Sequence, residues 1–122
     1  MGLDQTAYIT DKDSTNVIAT WRKHPNLQGF MDDLFIERTG GHKPTAENMG
    51  SEGMNTPDTL ELTLGDIKDL RKAIIDKTLP LAGGFFWGND SSEDYYEDDL
   101  KFCDLAEKAL LDNKKVIYEC WW

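Results

Sequence analysis

Residues 79–100 combine more turn-forming and aromatic residues than any other stretch of this chain: LPLAGGFFWGNDSSEDYYEDDL. Pro80 disfavours helix at the residue before it, so a preceding helix should end near Thr78. Gly83 and Gly84 allow a bend, and the Phe-Phe-Trp run after them is typical of a strand or a buried extended segment. The stretch therefore separates two helices by an aromatic segment that we expect to pack in the core.

A third helix is predicted to follow this aromatic segment. Ser91 or Ser92 is a suitable N-cap, and the acidic residues after it favour the positive end of the helix dipole. The helix should continue to about Asn113, with Cys103 as a small core residue rather than a reactive thiol. Helical spacing predicts the inward face, which consists of Tyr96, Leu100, Cys103, Ala106 and Leu110.

The first part of the chain predicts a β-hairpin. Residues 5–10 and residues 16–21 alternate as strands, and a polar turn joins them. On the second strand Val17, Ala19 and Trp21 are expected to share one face.

Two further helices are predicted before the aromatic segment. The first begins at Pro25 and ends near Arg38, with Asp32 and Asp33 on its solvent side. The second begins after a short strand at residues 59–62, where Thr63 and Asp66 form a capping box. Its buried stripe should contain Ile67, Leu70 and Ile74, widened by Ala73 or Ile75.

Two segments remain. Residues 39–58 are rich in glycine and polar residues, and we interpret them as one long loop, either functional or a neutral insertion. Residues 116–121 alternate as a last strand, and we expect Tyr118, Trp121 and Trp122 to be buried because loose aromatics favour aggregation. The predicted fold is α+β in a single domain of residues 1–122, with about three helices packed on one face of a small, mostly antiparallel sheet.

The composition restricts the partners. The net charge is −10, from 23 acidic and 13 basic residues, which argues against binding nucleic-acid phosphates or anionic membranes. Two cysteines and no signal-peptide pattern predict free thiols and a cytoplasmic location. The sequence contains no phosphate-binding loop, no metal-ligand spacing and no nucleophile motif, so neither a cofactor nor a metal is predicted.

One surface is a candidate binding site. A compact basic cluster follows the second strand, and an acidic helix start follows the aromatic segment, so both could meet at one edge of the sheet. The candidate residues are Trp21, Arg22, Lys23, Trp87, Asp94 and Tyr95. An internal salt bridge between Arg22 and Asp94, without any binding role, is the structural alternative.

The order of motifs resembles a family of small bacteriophage and prophage proteins of uncharacterised activity. The resemblance extends over nearly the whole chain and departs from the usual pattern at Thr20, Trp87 and Cys120-Trp121. It rests on Gly2-Leu3-Asp4, Trp21-Arg22-Lys23, the Gly-Phe-Phe-Trp-Gly run, Tyr95-Tyr96 and the aromatic ending. The resemblance implies a phage setting and assigns no chemistry.

We therefore predict a phage accessory protein that binds a host protein without catalysing a reaction, in the cytoplasm of the host cell. One alternative is a small-ligand or nucleotide pocket built from Trp21, Arg22, Lys23 and Tyr95, with or without catalysis. The other alternative is a mimic of a polyanion that occupies a nucleic-acid-binding site.

Overall fold

The described residues form a four-stranded sheet and three helices. The computed structural model describes residues 4–12, 14–22, 24–40, 54, 58–79 and 95–121. In chain order the elements are β1 (Asp4–Asp11), β2 (Ser14–Arg22), α1 (Pro25–Thr39), β3 (Thr59–Leu62), α2 (Leu64–Asp76), α3 (Tyr96–Leu111) and β4 (Lys115–Trp121). The strand order is β2-β1-β4-β3 with antiparallel neighbours throughout, which confirms the α+β prediction.

One face of the sheet is buried under the helices. Gln5 and Ala7 of β1 alternate with more exposed neighbours, as the period of two in a strand requires. Ala7 pairs with Tyr118 of β4, and Tyr118 pairs with Leu60 of β3, so one inward row crosses these strands. These side chains form one core cluster with helix residues that include Leu27, Met31, Ile67, Leu70, Phe102 and Ala106.

A bulge in β2 changes the face that its middle residues present. Ala7 pairs with Ala19 but Tyr8 pairs with Val17, so Ile18 is an extra residue in this strand. Val17 is consequently 61% exposed, and Ile18 packs against the core instead. The prediction that Val17 shares the inward face of Trp21 is therefore wrong.

The start of α1 is buried on more than one side. Asn26, Leu27 and Gln28 are all at most 2% exposed, so polar and apolar residues enter the interior together. Asp33 is exposed as expected, but Asp32 is half-buried and forms hydrogen bonds, so its predicted place on the solvent side is wrong. A simple apolar stripe does not describe this helix.

The predictions for α2 are confirmed. The Thr63 hydroxyl accepts a hydrogen bond from the Asp66 N–H group, and the Asp66 carboxylate accepts one from the Thr63 N–H group. Ile67, Leu70 and Ile74 are buried. Ala73, rather than Ile75, widens this stripe, because Ala73 packs against the core and Ile75 is 53% exposed.

The start of α3 differs from the prediction, whereas all five residues predicted on its inward face belong to the core or pack against it. The helix begins at Tyr96, later than an N-cap at Ser91 or Ser92 would place it. Its most buried residues are Asp99, Phe102, Cys103, Ala106 and Ala109, whereas Tyr96, Leu100 and Leu110 are partly buried. Burial raises the pKa of the Cys103 thiol to about 12, which agrees with its prediction as an unreactive core residue.

The last strand has one buried and one exposed face. Tyr118 is fully buried, as predicted, between the buried Val116 and Cys120. Trp121 is 54% exposed, so the expected burial of this residue is wrong. Three predicted features lie outside the described residues: Trp122, most of the long loop at residues 39–58, and the aromatic segment after Leu79.

Candidate functional site

A buried polar cluster surrounds the Asp99 carboxylate. The indole Nε1–H group of Trp21 donates a hydrogen bond to Asp99 Oδ1 at 2.8 Å, and His24 Nε2 lies 2.7 Å from Asp99 Oδ2. Trp21, His24 and Asp99 are each at most 3% exposed. Trp21 lies at the end of β2, and His24 is the N-cap of α1. Asp99 lies in the first turn of α3. Both side-chain oxygens of the buried Asp99 thus have a hydrogen-bond partner, as burial of a polar group demands.

Tyr95 covers this cluster from the direction of α3. Its ring stacks on the His24 ring with centroids 4.5 Å apart. Its hydroxyl donates to the Arg22 carbonyl oxygen at 2.5 Å and accepts from the Arg22 N–H group at 3.3 Å. Tyr95 therefore ties the start of α3 to the end of β2.

A second set of hydrogen bonds runs from β1 towards α1. The Gln5 side chain donates to the His24 carbonyl oxygen at 2.9 Å and accepts from the His24 N–H group at 2.8 Å. It also donates to the Tyr118 hydroxyl at 2.9 Å, which donates to Gln28 Oε1 at 2.5 Å. Gln28 Nε2 then donates to Asp32 Oδ1 at 2.7 Å. Such a connected network fixes the position of α1 on the sheet because each buried group needs its partner.

Asp32 connects this network to Met54. The Met54 N–H group donates to Asp32 Oδ1 at 2.9 Å, and Met54 itself is fully buried. Burial raises the pKa of the Asp32 carboxyl to about 6, although the hydrogen bonds from Met54 and Gln28 lower it, and the nearby Asp33 raises it further. The burial cost exceeds the gain from two donors.

Three of the six site residues predicted from the sequence are described, and they do not form one exposed surface. Tyr95 and Arg22 are brought together, but through the Arg22 backbone. Trp21 is only 3% exposed, so it does not belong to an exposed surface. The remaining three candidates, Lys23, Trp87 and Asp94, lie outside the described residues, as does the alternative salt bridge between Arg22 and Asp94.

Sequence reasoning missed the polar members of the interior. His24 is separated from Asp99 by 75 positions, and no local spacing connects them. Two signals were present: Asp99 lies one turn before Cys103 on the same helix face, and Gln5 alternates with Ala7. Extending each apolar pattern by one period would have placed both polar residues inside.

The opposite side of the sheet is not covered by the described helices. We call it the open face, and its residues alternate with the buried ones along each strand. Arg22, Asp4 and Trp121 form one cross-strand row at one end of this face. The open face consists of Asp4, Thr6, Tyr8, Thr10, Thr15, Val17, Thr20, Arg22, Thr59, Glu61, Lys115, Ile117, Glu119 and Trp121.

Comparisons with family models, with curated proteins and with solved structures yield no match for this chain. Within the described residues, no group of three or more His, Cys, Asp or Glu side chains is arranged to hold a metal ion. The described helices include none that is long and apolar enough to cross a membrane.

The buried cluster and the open face differ in what they can do chemically. His24 and Asp99 are 0% exposed, so a substrate cannot contact them in this structure. General acid–base catalysis requires that contact. The open face instead presents aromatic, aliphatic and charged side chains on the side of the sheet that the described helices leave uncovered.

Proposed function

We propose that this chain is a non-enzymatic accessory protein of a bacteriophage that binds a protein of its host in the host cytoplasm. The row formed by Arg22, Asp4 and Trp121 carries the proposal. Its Trp121 side chain is 54% exposed, and the exposed Arg22 lies at the other end of the row, on the far side of Asp4. Tryptophan and arginine are the residue types most enriched among energetically important contacts between proteins.

The buried cluster supports a scaffolding role for the polar interior. It holds the end of β2, where Arg22 lies, through Trp21 on one side and Tyr95 on the other. Because these bonds hold the Arg22 backbone, less backbone conformational entropy is lost at this end of β2 when a partner binds. The alternative of a small-ligand pocket is less favoured because Trp21 and His24 are buried against Asp99.

The charge of the chain supports a basic partner. A net charge of −10 attracts proteins of opposite charge and accelerates their encounter at low ionic strength. The same charge repels a second copy of this chain. We therefore favour a different protein over self-association.

Affinity capture from a bacterial lysate, with quantitative mass spectrometry, tests the proposal. Arg22→Ala and Trp121→Ala should each reduce recovery of the specific partner about five-fold or more, since contacts of this kind exceed 1 kcal/mol. Lys72→Ala and Ile75→Ala are matched controls, because both residues are exposed on α2. Equal recovery by all four variants would contradict the proposal.

A further inference from the structure

The carboxylate of Glu119 lies near the centre of the open face. Trp121 is two positions away on β4 and shares this face, so the two side chains are neighbours along the strand. Tyr8 of β1 pairs with Ile117, which makes it a diagonal cross-strand neighbour of Glu119. Diagonal neighbours of this kind are within reach of aromatic side chains. Glu119 is therefore placed between two aromatic residues.

The electrostatics agree with this placement. Burial and then the charge of Glu119 raise the pKa of Tyr8, which places the carboxylate near the phenol. Thr6 and Thr59 pair with Glu119 on the adjacent strands, and neither carries a charge. The carboxylate thus has uncharged partners directly opposite on both sides, while the acidic Asp4 and Glu61 are its diagonal neighbours.

Such a surface is suited to a cation. A guanidinium or ammonium group above Glu119 would pair with the carboxylate and approach the faces of the Trp121 and Tyr8 rings. Val17 and Ile117 extend the surface with aliphatic contacts on the same face, and Val17 is 61% exposed. An anion would meet repulsion from Glu119, and also from Glu61 opposite Ile117.

We propose that Tyr8, Glu119 and Trp121 form a binding site for an arginine or lysine side chain of the partner protein. The inference rests on the proposed function and specifies the chemistry of the partner: a basic side chain flanked by aliphatic ones. A second copy of this chain fits less well, because two molecules of charge −10 repel each other.

A titration with a defined peptide tests this site. The probe is the capped peptide Ala-Arg-Val-Arg-Ala, added to the isotope-labelled full chain and followed by NMR. Shift changes should concentrate at Tyr8, Glu119 and the Trp121 indole. The same peptide with citrulline in place of arginine keeps the shape without the charge, and it should bind at least about five-fold more weakly.

Two variants make the test specific to the site. Glu119→Gln should weaken binding of the arginine peptide about five-fold, whereas Glu97→Gln, which removes the same charge from an exposed position on α3, should change it less than about two-fold. Equal weakening by the two variants, shifts spread over the whole acidic surface, or equal binding of the citrulline peptide would each overturn the proposal.

The outcome separates this inference from the proposed function. If Arg22→Ala abolishes capture of a host protein while Glu119→Gln leaves both capture and peptide affinity unchanged, the cation site is wrong and the binding function stands. If the peptide binds as expected but lysate recovery is equal for every variant, the site stands and the host-protein proposal fails. A dimer detected by sedimentation whose formation Glu119→Gln abolishes would overturn the choice of partner.

Discussion

Replacing Asp32 with asparagine should make the protein more stable at neutral pH. The carboxyl of Asp32 has a pKa raised to about 6 from its ordinary value of 3.8, mainly because it is buried. The folded state therefore holds the proton more tightly than the unfolded state. The stabilisation that comes from the protonated Asp32 is fully present below the unfolded-state pKa, and it is lost as the pH rises through the folded-state pKa.

The magnitude follows from the size of the pKa shift. About two pKa units correspond to about 3 kcal/mol of unfolding free energy lost when Asp32 is ionised. Both donors, Met54 N–H and Gln28 Nε2, bind the same oxygen, Oδ1. An asparagine can keep that oxygen in place and remain neutral at every pH. Asp32→Asn should therefore gain up to about 3 kcal/mol at pH 8 and roughly half as much at pH 5.

Urea denaturation at pH 5 and pH 8 measures these gains. Asp33→Asn is the matched control, because it removes the same charge from the adjacent, exposed position. Its effect should stay within about 0.5 kcal/mol. A variant Asp32→Asn that is no more stable than wild type at pH 8, or that gains equally at both pH values, would refute the argument from burial.

Two further predictions concern the other buried groups. Asp99→Ala should lower the unfolding free energy by about 3 kcal/mol, since Trp21 and His24 lose their shared acceptor. The control Asp98→Ala, at an exposed position, should leave the urea midpoint unchanged, and similar midpoints for both variants would show that the cluster adds no stability. Tyr118→Phe should cost about 2 kcal/mol through two lost hydrogen bonds, and Trp121→Ala less than about 1 kcal/mol because it is half exposed; the opposite ranking in thermal unfolding would argue that Trp121 anchors β4.

Much of the fold was predictable because its elements follow local rules. The Thr63 capping box and the stripe of Ile67, Leu70 and Ile74 depend only on neighbours within one or two helical turns. The face presented by Val17 was not predictable, because the bulge at Ile18 depends on the pairing of β2 with β1. Local alternation gives the period of a strand but not the place where the period is interrupted.

Less of the candidate site was predictable. The proximity of Arg22 and Tyr95 was expected from the order of the elements. The burial of Trp21 against Asp99 was not, since hydropathy assigns a carboxylate to the surface unless its partner is known. His24 is that partner: it is buried in the interior, where Asp99 and the Gln5 side chain form hydrogen bonds with it.

The pairing of β1 with β4 has a consequence for the order of folding. β1 is central in the sheet, but its neighbour β4 is the last strand in sequence, and the Gln5–Tyr118 hydrogen bond spans 113 positions. During synthesis the β1–β2 hairpin can form early, but Gln5 and Ala7 cannot pair with β4 until β4 has left the ribosome. Contacts this distant in sequence slow folding, because the loop-closure entropy is lost before they form. In a nascent chain that ends before residue 115, the hydrogen-bonding edge of β1 that normally pairs with β4 would thus be open to other strands.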